Sequence, residues 1–291
     1  MENIRLKWIY LIALSLVWGS SFILMKYALV GMKPVHVGAL RILITALFLV
    51  LIAYKSVFGL TKKHWFYLSL NALLGTFFPA FLFAFAIDKM DSSIAAILNS
   101  FTPFNTLIIG ALLFGYSFHK KQITGIVIGL FGTIMLILNG DSFVLEKQEL
   151  LYPSFILIAS VGYAINVNII KKHLQDVKAI AITTGNFILL IIPSILVLVF
   201  SDFFANFQFT PQTNTSLVYI IILAIVGTAI AKTFFNKLVQ ISSPIFSTSV
   251  TYLIPIVAVF WGLFDGENIT TNQMLSGLVI LLGVYLVNKK R

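Results

Sequence analysis

About 20 nearly uninterrupted apolar residues suffice to cross the hydrocarbon core of a bilayer, and this chain is built almost entirely of such runs. They occupy 8–29, 35–54, 65–86, 92–115, 123–139, 150–170, 179–199, 216–238, 244–263 and 273–288. Gly31, Lys33 and Pro34 part the first two runs, His119-Lys120-Lys121 the fourth and fifth, and Gln240, Ser242, Ser243 and Pro244 the eighth and ninth. The longest connection, Phe200 to Thr215, carries the Asn, Thr, Gln and Pro of a solvated loop. Composition removes the alternatives. Hydrophobic residues make up 59% of the chain and charged residues 10%, against about 25% charged in a soluble domain. That is too little polar sequence to coat a soluble core, and too much apolar sequence for disorder. Strands of a membrane β-barrel alternate apolar and polar side chains, whereas Leu43 to Ala53 and Leu278 to Leu282 are almost continuously apolar. The expectation is an all-α integral membrane protein with ten transmembrane helices. Arg5 and Lys7 precede the first run as in a signal peptide, but that run is long enough to span. Further apolar residues follow Gly19-Ser20-Ser21, so it is read as a retained helix.

Charge placement orients the helices. With the N-terminus in the cytoplasm, ten spans put Arg5, Lys7, Lys55, Lys62, Lys63, Lys120, Lys121, Lys171, Lys172, Lys178, Lys237, Lys289, Lys290 and Arg291 on or near the cytoplasmic side. Only Lys26, Lys33, Lys89 and Lys147 fall opposite. Short cytoplasmic segments are enriched in Lys and Arg, so both termini are expected inside; the membrane expected is a bacterial inner membrane, with an organellar membrane as the alternative. The formal net charge of +10 would raise nucleic-acid binding in a soluble chain. Here the basic residues form short clusters between apolar runs, with no long basic face, and no nucleic-acid partner is expected. The absence of cysteine excludes disulfides, zinc thiolates and thiol nucleophiles. His36, His64, His119 and His173 have no metal-ligand spacing, and no phosphate-binding or dinucleotide motif is present. No metal, no cofactor and no ATP-driven pumping are expected, and no nucleophile–base–acid set suggests an enzyme.

The sequence also repeats itself. At a shift of 152 residues Gly75-Thr76 falls on Gly227-Thr228, Phe83 on Phe235, Pro103 on Pro255 and Gly110 on Gly262. At a shift of 151, Gly115 falls on Gly266, Gln122 on Gln273 and Gly132 on Gly283. Gly19 and Gly162 pair at a shift of 143. Two five-helix units follow, residues 1–140 and 149–291. Because five is odd, the second unit starts on the opposite face of the membrane, giving inverted repeats, an architecture common among secondary transporters.

These features together resemble the EamA-type branch of the drug/metabolite transporter superfamily over nearly the whole chain. The resemblance rests on the five-plus-five plan, Trp18-Gly19 in the first span, and Pro34 with Arg41 at the second. It rests also on Pro103 to Gly115 followed by Gln122, Gly125 and Gly132, and on Pro255 to Gly266-Glu267 followed by Gln273, Ser276 and Gly283. Tyr116 departs from the pattern where the family often has Glu, and Ser276 stands opposite Gly125. The resemblance implies a small-molecule carrier working by alternating access. Its cavity would come from the first four helices of each unit, with the fifth and tenth helices peripheral and available for homodimer contacts.

Charges inside a span are costly and mark functional positions. Arg41 and Lys232 are the two in this chain. Arg41 reads either as a cavity residue for an anionic group or as a structural or gating residue. Lys232 reads as a cavity charge or as a side chain reaching back to the interface. No Asp or Glu lies within a span, so a carboxylate proton relay has no carrier there. Asn99, Thr102 and Asn105 recur every three residues on one helix face, with Pro103 among them to open the helix ladder. Thr251 and Tyr252 precede Pro255, expected to break the matching span as Pro103 breaks its own, and Thr251 falls on Asn99. Trp18, Asn166, Asn186 and Asn236 complete the candidate substrate-binding or gating set. Each of the Asn residues reads equally as an interhelical hydrogen bond, worth about 1 kcal/mol. Gly125, Gly129 and Gly132 read as a stripe for close helix packing. The function expected is a secondary transporter, an exporter or exchanger, for a small amino-acid-like or amphiphilic metabolite, with solute and lipid as its partners. A membrane enzyme for lipid-linked substrates, or a non-transporting membrane component, is the alternative.

Overall fold

The computed structural model describes residues 2–90, 92–138, 151–264 and 271–288, and every regular element among them is helical. The unit junction at 140–149 and the Gly266-Glu267 pair lie outside the described residues. In chain order the helices are α1 (Glu2–Ala28), α2 (Pro34–Ala53), α3 (Lys62–Ala72), α4 (Phe78–Lys89), α5 (Ser92–Asn99), α6 (Thr102–Phe114), α7 (Lys120–Leu138) and α8 (Leu151–His173). They continue as α9 (Ala179–Phe200), α10 (Phe203–Asn206), α11 (Pro211–Ala224), α12 (Ala231–Ile241), α13 (Pro244–Thr248), α14 (Val250–Phe264) and α15 (Thr271–Asn288). All ten apolar runs read from the sequence fall on these elements. Six stretches are long and apolar enough to cross a membrane: Arg5–Ala28, Pro34–Val57, Lys62–Lys89, Leu151–His173, Ala179–Phe200 and Pro211–Ile241. Shorter apolar helices include Thr102–Phe114, Pro244–Val257 and Met274–Val287.

The burial pattern is that of a protein solvated by lipid. Leu51 is 81% exposed, Leu112 78% and Ile192 70%, while Thr45, Asn71, Ser160, Asn168, Thr184 and Ser194 are fully buried. In water this arrangement would leave apolar surface unpaid and bury polar groups at a cost. In a bilayer the apolar faces meet hydrocarbon, while Thr45, Asn71, Ser160 and Asn168 hydrogen-bond to neighbouring helices and Ser194 to carbonyls of its own.

Local sequence sets the helix ends. Pro34 starts α2 in its first turn, where its missing N–H is no loss. Thr61 and Thr210 open α3 and α11 with reciprocal capping boxes, Thr61 with His64 and Thr210 with Thr213. Gly115, at φ +70°, closes α6, and Tyr116 N then donates to Gly110 O at 3.0 Å.

Both proline-bearing spans are interrupted, but differently. Between α5 and α6 the break lies at Ser100-Phe101, and Pro103 follows it in the first turn of α6. Between α13 and α14 the break lies at Ser249, and α14 runs on through Pro255. Pro255 is therefore not the point of interruption that its sequence suggests. Proline denies a hydrogen bond to the carbonyl four residues back, and each freed carbonyl is met by a hydroxyl. Asn99 O accepts from Thr102 Oγ1 at 2.6 Å, and Thr251 O accepts from Ser100 Oγ at 3.0 Å.

The bundle has two distinct ends. One gathers the end of α1, the starts of α2 and α11 and the end of α9. There Gly31 N donates to Ser216 Oγ at 3.0 Å, His36 Nε2 to Ser201 O at 3.2 Å, and Tyr27 stacks on Tyr219. The other gathers the starts of α1, α3 and α9 with the ends of α8 and α12. There Gln240 Nε2 donates to Leu174 O and Val177 O at 3.0 and 2.7 Å, and Lys171 Nζ to Gln240 O at 3.1 Å. Leu11, Leu14, Leu68, Ile170, Leu174, Ile182, Leu238 and Phe246 fill this second end as a buried apolar cluster. Helices α7 and α15 pack face to face along the glycine stripe, with Gly283 against Gly129 and Gly132 against Ile280.

Candidate functional site

Two π-helical turns face each other near the middle of the bundle. The first, Leu73–Phe77, joins α3 to α4 without a break, and the second, Ile225–Ile230, joins α11 to α12. Each contains Gly-Thr, at Gly75-Thr76 and Gly227-Thr228. A π turn adds a residue to the helix and loosens the i→i−4 ladder, which is why such turns recur at functional sites. Here the loosened carbonyls have side-chain partners on facing helices. Ala224 O accepts from Thr45 Oγ1 at 2.9 Å, and Gly227 O from Trp18 Nε1 at 3.0 Å. Gly75 O accepts from Lys232 Nζ, which also donates to Thr76 Oγ1. Gly75 is required by space, since a Cβ built on it would overlap the Asn166 side chain.

The turns border a cavity of about 130 Å³. Its apolar wall includes Trp18, Phe22, Phe83, Phe187 and Ile254; its polar lining includes Arg41, Asn99, Thr102, Tyr163 and Lys232. The lining runs along α1 from Trp18 to Met25 and along α4 from Pro79 to Ile87. Phe235 and Val250 of the packed apolar cluster also line it, while Phe22, Met25, Phe83 and Ile87 belong to a second buried cluster toward the end that holds Gly31 and Ser216.

The two intramembrane cations both turn into this space rather than back to an interface. Arg41, on α2, donates Nε to Thr228 Oγ1 at 2.8 Å. Lys232, on α12, holds the first π turn through Gly75 and Thr76. Each cation is therefore fastened to the π turn of the opposite half of the chain. Neither meets a carboxylate among the described residues, where the acidic partners are Asp176 for His64 and Asp88 for Lys89, away from the cavity.

The sequence-derived candidates divide clearly. Trp18, Arg41, Asn99, Thr102, Asn166, Lys232 and Thr251 border the cavity. Asn105, Asn186, Asn236 and Tyr252 bind helices together instead. Asn105 Nδ2 donates to Ser160 Oγ at 2.7 Å, and Asn236 Nδ2 to Thr183 Oγ1 at 3.0 Å. The Asn186 amide meets that of Asn71 at 2.7 Å, and the fully buried Tyr252 hydroxyl donates to Ile126 O at 3.0 Å. Asn71 also receives the Asn166 amide, an amide cluster that hydropathy alone did not flag. Thr76 and Thr228 were missed as site residues as well, although their Gly-Thr pairs were visible as the repeat.

The EamA-like transporter family model matches residues 6–138 and again 150–289. A transporter of Bacillus subtilis strain 168 described as the uncharacterized transporter YoaV is 26% identical over 283 residues, covering 95% of this chain and 94% of that protein. A probable amino-acid metabolite efflux pump of Escherichia coli K12 is 26% identical over 286 residues, covering 93% and 90%. An S-adenosylmethionine/S-adenosylhomocysteine transporter of Chlamydia trachomatis is 24% identical, covering 96% and 88%. A solved crystal structure shares the fold, with a TM-score of 0.75 at 14% identity over 96% of this chain and 95% of that one.

Proposed function

The chain belongs to the EamA-like transporter family, and as such a multi-pass integral membrane transporter of small metabolites we propose that it works by alternating access between two inverted five-helix units, residues 1–140 and 149–291. Ten helices then cross the membrane with both termini in the cytoplasm, in a bacterial inner membrane, and the physiological direction is export. The observation that carries the reading is one cavity, bordered by a π-helical Gly-Thr turn from each half and lying between two buried apolar clusters, one toward each end of the bundle. In the proposed orientation the end that holds Gly31 and Ser216 faces outward. Access alternates as Leu174, Val177 and Gln240 part at one end and Gly31 and Ser216 part at the other. Inverted repeats give such a pair of conformations from one architecture.

The solute is amino-acid-like or amphiphilic. The Escherichia coli relative described as an amino-acid metabolite efflux pump, and the Chlamydia relative described as a carrier of S-adenosylmethionine and S-adenosylhomocysteine, support this class. The mixed lining, aromatic on one side and amide and hydroxyl on the other, suits it. Counterflow into proteoliposomes, run over radiolabelled amino acids, their acylated derivatives, amines and organic acids, tests the reading. Saturable counterflow of at least one solute is expected. None across the panel would sink it.

A further inference from the structure

We propose that the cavity recognises a solute with one anionic oxygen head and an apolar body, and with no cationic group. This rests on the transport reading but narrows it, from amino-acid-like in general to acids whose amine is absent or acylated.

The argument begins with charge. Arg41 and Lys232 both line the cavity. Their protein partners are hydroxyl and carbonyl oxygens, dipoles that satisfy hydrogens but leave both charges uncompensated. Charges in a poorly polarisable interior are normally paired, and no carboxylate pairs with these among the described residues. Donors remain for a ligand as well. A guanidinium has five N–H groups and an ammonium three. Thr228 takes one from Arg41, while Gly75 and Thr76 take two from Lys232. Five donors therefore stay available on two cations facing one space.

A carboxylate or phosphate placed there meets charge-assisted donors from both halves of the chain. An ammonium placed there meets like charge in a medium that screens it weakly. The rest of the solute faces Trp18, Phe22, Phe83 and Ile254, which reward an aromatic or branched body and offer no acid to an amine.

The test uses the full chain in detergent and in proteoliposomes. The probes are matched sets in which aromatic and branched bodies each carry a carboxylate, a phosphate monoester, a carboxamide or an amine. N-acetylphenylalanine and phenylalanine form one further pair. Thermal unfolding reads binding, and counterflow reads transport. Anionic probes are expected to raise the melting temperature and to bind at least about tenfold more tightly than the amide or amine of the same body. N-acetylphenylalanine is expected to bind more tightly than phenylalanine. Lys232→Gln should remove most of that preference. Arg41→Gln should do the same if it folds, and the wild-type head-group preference decides the matter if it does not. Equal or tighter binding of amines, or no binding by any anionic probe, overturns the inference. Counterflow of amines alone would overturn it while leaving the transporter standing. Anion binding without counterflow of any probe would support it while removing the transport reading.

Discussion

Arg41 and Thr228 lie 187 positions apart in the chain and meet at 2.8 Å through Nε and Oγ1. The bond joins α2 to the second π turn, and the same threonine hydroxyl donates back to Leu223 O at 2.8 Å. Thr228 thus links a charge on one half to the loosened ladder of the other. Replacing Arg41 with Ala should lower counterflow by about tenfold or more, equivalent to at least about 1.4 kcal/mol, with membrane insertion intact. Normal counterflow in that variant would remove Arg41 from the site.

Thr228→Val keeps the shape of the side chain and deletes the hydroxyl. A buried hydrogen bond to a charged group contributes about 1.5–3 kcal/mol. The variant should melt at a lower temperature than wild type in detergent. Thr228→Ser should recover most of the loss, since it restores the oxygen; failure of Ser to do so would point to methyl packing instead.

Gly75 and Gly277 make a matched pair of Ala substitutions. A Cβ on Gly75 runs into Asn166, whereas one on Gly277 meets nothing within 4 Å. Gly75→Ala should cost about 1–3 kcal/mol through overpacking and disturb the cavity wall, lowering expression of folded protein. Gly277→Ala should be neutral or slightly stabilising. Fluorescence-detected size exclusion after graded heating separates the two.

The Ser100 hydroxyl serves the carbonyl that Pro255 frees. Ser100→Ala should therefore cost about 1–2 kcal/mol by leaving Thr251 O without a donor. Pro255→Ala returns a backbone N–H to that carbonyl, so the double variant should lose less than the two single losses combined. Additive losses in a melting-temperature cycle would break the link.

The chain has no native cysteine, so single introduced thiols report accessibility without background. In the proposed orientation, Ser21→Cys, on the cavity wall, should react with a membrane-impermeant maleimide added outside intact cells. Leu238→Cys, fully buried at the packed end, should resist it from either side. Adding Gln240→Leu removes the two bonds to Leu174 O and Val177 O and should speed labelling of Leu238→Cys from the cytoplasmic side. No change would mean that this cluster does not seal the inner end.

The helices were legible because hydropathy acts through length, and every apolar run falls on helical structure. The π turns were not. A π turn carries no periodicity of its own, and Gly75-Thr76 and Gly227-Thr228 stood out only because one copies the other. The polar candidates were half legible for a related reason. Asn99, Thr102 and Asn105 share a face on an unbroken helix, but the helix is interrupted at Ser100-Phe101. Asn99 and Thr102 nonetheless both border the cavity across that break, while Asn105, one turn further along α6, bonds to Ser160. A polar residue in a span announces that it avoids lipid, not whether it faces another helix or the solute. Pro255 marked the right helix, yet the break was already made at Ser249, and the proline showed itself only in the carbonyl it left to Ser100.

The two Gly-Thr turns are fastened unequally. One is held by an ammonium on a flexible stem, the other by an indole and a planar guanidinium. Duplicated scaffolding with dissimilar clasps has a resting preference, because the two clasps differ in strength and in how readily solute can borrow their hydrogens. The gradient still decides net flow. Under the proposed alternation, time spent facing each side is decided by which clasp yields first, and half-saturation constants measured from the two faces of the membrane should differ accordingly.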